Sequence, residues 1–152
     1  MADRPGMRRF RFRLASVLRL RSQVERAARK ELAAATAEVN TVQQQLDAAE
    51  QALADCADQA ARSDSVGQLA RALEGGMRRH KWRLERQRKQ AEQRLEGVRG
   101  DYTRKARELK TLQRLRDQEH EHWRLSAQRA EQAELDELAV LARGAEQGDE
   151  TW

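Results

Sequence analysis

A single proline, a single cysteine, and only two Phe, one Tyr and three Trp in 152 residues exclude most kinds of fold before any pattern is read. With so few aromatic and β-branched residues there is little from which to build strands, and none is expected. Cys56 has no partner in the chain, so no intramolecular disulfide can form, and nothing in the cysteine count points to a secreted or zinc-bound protein. No apolar run reaches the roughly 18 residues of a membrane span, and the basic start of the chain leads into no signal-like core, so a cytoplasmic location is expected.

What is present is Ala, Leu, Arg, Glu and Gln. Charged residues make up 36% and apolar residues 39%, with a mean hydropathy of -0.98. That is poor material for a globular core and good material for long helices that bury one seam. From Ala28 the apolar residues alternate in steps of four and three: Ala28, Leu32, Ala35, Val39, Val42, Leu46, Ala49, Leu53, Cys56, Ala60. This is a heptad seam. Upstream, Leu14, Val17, Leu18, Leu20 and Val24 keep an apolar face in looser phase, which predicts a stutter near 24–32.

A cluster of breakers, Ser63 to Gln68, ends the first helix, with Ser65 and Gln68 at capping-box spacing. Gly75 and Gly76 are expected to interrupt any helical turn that follows, since each costs about 1 kcal/mol relative to Ala. A second seam opens at Leu84 and runs through Arg88, Ala91, Leu95, Val98, Tyr102, Lys105, Leu109, Leu112, Arg116, Glu119, Trp123, Ser126, Ala130 and Ala133, closing with Leu135, Leu138 and Leu141. The expected organisation is all-α: helix one over about 12–62, a tip over about 63–77, helix two over about 78–143, and a polar tail at 144–152.

Charge chooses the orientation. Residues 1–30 carry ten basic and two acidic side chains, 31–70 one and seven, 71–118 sixteen and seven, and 119–152 three and nine. Folding back near residue 70 sets each basic block against an acidic one, whereas a parallel dimer would set like against like. A monomeric antiparallel coiled-coil hairpin is therefore expected.

No constellation predicts catalysis or a cofactor. Phosphate loops, nucleophile elbows and paired carboxylates in a pocket are all missing from the sequence. In Glu119-His120-Glu121-His122 neighbouring side chains point to different sides of a helix, so no metal site is expected. The net charge of +5 is carried mostly by Arg without a repeat of aromatic platforms, so nucleic acid is not an expected partner. Cys56, Tyr102 and Trp123 fall on the seams and are read as core.

Two stretches carry apolar side chains beyond the seams. Phe10 to Arg21 is apolar around more of its circumference than one partner helix covers, and Leu69, Leu73, Gly76 and His80 could form a stripe at 4, 3, 4 spacing. The alternatives are a broader local core at the first and packing onto the end of helix one at the second.

The stretch Phe10-Arg11-Phe12-Arg13-Leu14-Ala15-Ser16-Val17-Leu18-Arg19-Leu20-Arg21 resembles the N-terminal signature of the FliJ family, the stalk proteins of flagellar type III export. Arg129 to Ala139, with its Glu-Gln and Leu-Asp-Glu, is similar to that family's acidic terminus. The resemblance implies a non-enzymatic protein, similar in fold to the rotary stalk of F-type and V-type ATPases. Its implied partners are a hexameric flagellar export ATPase, a membrane export gate protein and export chaperones. It implies an ATPase-binding set of Phe10, Phe12, Leu14, Val17, Leu18 and Arg21, aided by Glu131, Asp136 and Glu137. The export-gate set it implies is Leu69, Leu73, Gly76 and His80, where the family pattern has an aromatic in place of Leu69 and alanine in place of Gly76. It places the protein at the inner face of the cell membrane, at the flagellar base. An injectisome stalk and a generic coiled-coil tether are the alternatives.

Overall fold

The structure is a computed structural model that describes residues 9–148. Those residues form two α-helices and no strand: α1 over Ala15–Ala60 and α2 over Ser65–Gly148. The chain divides into two compact units, Arg21–Arg107 and a second made of Met1–Leu20 with Glu108–Trp152.

In the unit Arg21–Arg107 the two helices run antiparallel as a coiled-coil hairpin. Arg94 Nη1 meets Glu38 Oε2 at 2.9 Å, Lys81 Nζ meets Glu50 Oε1 at 3.5 Å, and Arg88 Nη1 donates to Gln43 Oε1 at 3.3 Å. In each pair the residue numbers total 131 or 132, so one register holds along this stretch. Both ion pairs join an acidic residue of 31–60 to a basic residue of 71–100, as the charge blocks require.

The first seam lies where its spacing put it, with Ala28, Ala35, Leu46 and Cys56 buried and the others half-buried. Leu46 is its best-covered large side chain, at 2% exposure. Within the stretch expected to stutter the seam holds through a charge: Glu25 is buried, so the four-three frame reaches back from Ala28 to Glu25. The phase shifts only before it, where Ser22 rather than Arg21 is half-buried. Arg29 Nη2 donates to the Glu25 carboxylate at 2.6 Å, and the Arg29 guanidinium is raised above its ordinary pKa by that hydrogen bond first. On α2 the seam begins earlier than expected, at Ala70, Glu74, Met77 and Lys81, before continuing through Leu84, Arg88 and Ala91.

The tip is far shorter than 63–77, because only residues 61–64 lie between the two helices. Asp64, rather than Ser65, is the N-cap. Its Oδ1 accepts from Gly67 N at 3.2 Å and its carbonyl from Gln68 N at 3.2 Å, which satisfies donors that the first turn leaves free. Arg71 Nη1 reaches back to the carbonyls of Ala60 and Arg62 at the end of α1. The end of α1 and the start of α2 are thus capped across one turn.

Gly67 is needed for this closeness, since a Cβ there would stand 2.0 Å from the Arg62 carbonyl oxygen. Gly75 and Gly76 do not interrupt α2, and neither has positive φ. Their cost is offset by the packed seam on either side, Ala70 and Met77, and by the Arg78–Glu74 pair one turn apart.

The second unit, as described, contains residues 9–20 and the stretch of α2 from Glu108. Phe12 is buried, at 9% exposure, and Leu14, Leu18, Leu109 and Leu112 are half-buried. Cover on the α2 seam stops near Trp123. Arg116, Ser126, Ala130 and Ala133, expected in the seam, are exposed, as are Leu135, Leu138 and Leu141. The basic first block meets the acidic fourth only at the start of the latter, where Phe10 lies against His120 and Trp123; farther on, Glu131, Glu134, Asp136 and Glu137 are exposed and pair with no basic residue among those described. Gly144 does not end α2, which continues through Gly148 in place of the expected tail.

Candidate docking surfaces

The first surface lies beside the tip, in the unit Arg21–Arg107. The seam of α2 is anchored by Ala70, Glu74, Met77 and Lys81, so the residues just before each of these stand on its flank. Leu69, Leu73, Gly76 and His80 are those residues, and all four are exposed. Leu69 is 62% exposed and Leu73 54%, which discards packing of these leucines onto the end of α1. Val66, three residues before Leu69, lengthens the stripe and was not singled out by sequence. Large apolar side chains at regular spacing on a helix flank mark a contact surface more often than a solvated one.

The second surface lies in the other unit. Phe10 packs edge-on against His120, with ring centroids 4.9 Å apart, and at a tilt against Trp123 at 5.8 Å; the His120 and Trp123 rings are themselves tilted, at 5.7 Å. Edge-on aromatic pairs add to the stabilisation given by burial alone. Of the N-terminal residues singled out by resemblance, Phe10, Phe12, Leu14 and Leu18 are therefore covered to different degrees, while Val17 and Arg21 are exposed. Leu20, not singled out, is more exposed than Val17.

Beside this cluster the carboxyl group of Glu121 is held below its ordinary pKa, by hydrogen bonds from Arg124 at 2.6 and 3.0 Å first and by His120 to a smaller degree. Farther along α2, Glu131, Asp136 and Glu137 are exposed beside Leu135, Leu138, Val140 and Leu141, and Gln132 Nε2 donates to Asp136 at 3.0 Å. These leucines read as core from their spacing. In the structure they are an amphipathic face that no described residue covers.

A family model, described as "Flagellar FliJ protein", matches residues 10–148. The chain belongs to the FliJ family. It is a component of flagellar protein export, and the injectisome alternative gives way to the flagellar one. FliJ proteins are structural, non-catalytic parts of that export. No curated protein and no solved structure matches the chain. No helix among the described residues is long and apolar enough to cross a membrane.

Proposed function

We propose that this FliJ protein is the central-stalk-like coiled coil of flagellar export: it binds the hexameric export ATPase through one surface and the membrane export gate protein through another, and it also engages export chaperones. The observation that carries this reading is the exposed stripe Val66, Leu69, Leu73, Gly76 and His80, an apolar face at regular spacing beside the hairpin tip. Such a face is suited to a groove or helix on a partner.

The ATPase-binding set is Phe10, Phe12, Leu14, Val17, Leu18 and Arg21 with Glu131, Asp136 and Glu137, and the geometry divides its labour. Covered Phe10, Phe12, Leu14 and Leu18 shape the N-terminal segment, whereas exposed Val17, Arg21 and the acidic, leucine-bearing end of α2 offer contact. Long apolar side chains flanked by carboxylates suit a partner with an apolar pocket and a basic rim. Leu69, Leu73, Gly76 and His80 form the gate-binding set. On this reading the protein works in the cytoplasm at the inner face of the membrane at the flagellar base, and serves motility and chemotaxis through assembly rather than chemistry.

The test is to mix the purified protein with its export ATPase. Hexamer formation and hydrolysis should rise. Unchanged assembly and turnover would leave a tether inside the export system with no ATPase role.

A further inference from the structure

The basic residues of α2 near the tip fall into two groups. Those beside the seam are paired: Arg78 with Glu74, Lys81 with Glu50 and Glu85, Arg94 with Glu38. Those facing away from α1 are not. Arg79, Arg83, Arg86 and Lys89 are exposed and have no carboxylate partner among the described residues. With Glu74, Lys81 and Arg88 at one seam position and Met77, Leu84 and Ala91 at the other, no outward heptad position between 72 and 93 carries a carboxylate.

Trp82 stands in the middle of this face. It is 57% exposed, and the Arg86 guanidinium sits 4.9 Å from its ring centroid. A tryptophan left in water this far is unusual, and nothing in the hairpin needs it there. Toward the tip the same outward positions are filled by Gly75 and Gly76, where an added Cβ would meet nothing closer than the Arg79 side chain at 3.7 Å. A broad surface can therefore come close to the helix backbone beside the ring.

We propose that this face, Arg79, Trp82, Arg83, Arg86 and Lys89, docks on an anionic lipid surface. The charge complementarity is one-sided: four unpaired cations within about 15 Å of straight helix. Lipid phosphates move laterally to meet such an array, whereas an acidic protein would need carboxylates at matching spacing. Tryptophan favours the headgroup boundary, where its ring is half apolar and its N–H is wet, and Arg stems lie flat on apolar surface while their heads reach phosphate. A nucleic-acid groove would ask for several stacking rings, and this face has one.

The test is sedimentation of the full chain with phosphatidylcholine vesicles, with and without phosphatidylglycerol, at physiological salt. Binding is expected with phosphatidylglycerol alone. Arg83→Gln with Arg86→Gln should lower it by roughly 25-fold, about fivefold for each cation lost near the surface. Brominated acyl chains should quench emission of the wild type more than of Trp82→Phe. All these side chains are exposed, so helicity by circular dichroism should not change.

Failure to bind phosphatidylglycerol vesicles, binding that ignores the two Gln substitutions, or quenching equal in Trp82→Phe would overturn the proposal. Should the vesicles fail while polyglutamate binds in an Arg83- and Arg86-dependent way, the face belongs to an acidic protein. If duplex DNA binds in that way instead, the face is one for nucleic acid.

Discussion

The carbonyl oxygen of Arg62 occupies the space that a side chain on residue 67 would need, at 2.0 Å from an ideal Cβ. The hairpin can turn in four residues because that position is glycine. Gly67→Ala gains about 1 kcal/mol of helix propensity but forces the end of α1 and the start of α2 apart, and overpacking of this kind costs about 1 to 3 kcal/mol. The net expectation is a lower midpoint in thermal unfolding, together with loss of the Arg71 contacts to Ala60 and Arg62. A midpoint equal to or above that of the wild type would mean that the turn relaxes freely.

Asp64 holds the same turn by charge. Its carboxyl group lies below the ordinary value of 3.8, chiefly because Arg62 Nη2 donates to it at 2.7 Å and next because Gly67 N–H does. A depressed carboxyl pKa contributes stability that is present above the unfolded value and is lost as pH falls through the folded one. The midpoint difference between wild type and Asp64→Asn should therefore persist at neutral pH and close only in the acid range below ordinary carboxylates. A difference that is constant down to that range and through it would assign the cap to neutral hydrogen bonding alone.

Much of this fold was legible because heptad spacing is a direct record of burial. Ala28 to Ala60 and Leu84 to Leu112 are covered at every seam position in those runs. The misreadings share one cause, local chemistry standing in for tertiary context. Glu25 hid the frame because a carboxylate is not expected in a seam, and Gly75 with Gly76 suggested a break that packing overrides. Leu135, Leu138 and Leu141 have core-like spacing, but spacing cannot say whether anything lies opposite. The exposed stripe at Leu69 and Leu73 was found by spacing and resemblance together. Its neighbour Val66, and the outward Trp82, became visible once the seam was fixed at Ala70 and Met77.

Leu46 and Leu69 give a direct contrast between seam and stripe. Leu46 is 2% exposed, so Leu46→Ala should cost about 2 to 5 kcal/mol and lower the unfolding midpoint sharply. Leu69→Ala, at 62% exposure, should change stability by about 0.5 kcal/mol or less. Combined with Leu73→Ala, it should spare ATPase binding and impair gate binding in pull-downs. Joint loss of both partners would show that the stripe supports the fold or both contacts rather than the gate alone.

Arg88 occupies a seam position with its Nε buried and unsatisfied, Nη1 at 3.3 Å from Gln43 and Nε at 3.7 Å from Glu92. The Arg88 side chain is 38% exposed, so its charge is partly solvated and only Nε is buried without a partner. An apolar side chain of similar size is then stabilising by less than the roughly 1 to 4 kcal/mol found for fully buried ion pairs. Arg88→Met should therefore raise the unfolding midpoint. Polar groups at seam positions also fix register, so the same variant should relax the pairing of Glu38 with Arg94. Cysteines introduced at those two positions would report it by cross-linking less completely than in the Arg88 background. A lower midpoint in Arg88→Met would show that the Gln43 and Glu92 contacts outweigh the burial cost.

Phe12 and Phe10 separate cover from contact in the N-terminal segment. Phe12 is buried, and truncating a buried Phe costs about 3 kcal/mol or more, so Phe12→Ala should lower the unfolding midpoint before any partner is added. Phe10 is half-buried and leans on His120 and Trp123, so Phe10→Ala should cost less while exposing the Trp123 indole. The readout is a red shift in emission against a Trp82→Phe background, where one exposed indole is removed. If ATPase binding falls in Phe12→Ala only in proportion to its unfolding, the residue acts through the fold. If it falls in Phe10→Ala while helix content holds, the ring is a contact that leaves α2 to meet the ATPase. Wild-type binding by both variants would transfer the docking role to Val17, Arg21 and the exposed leucines of α2.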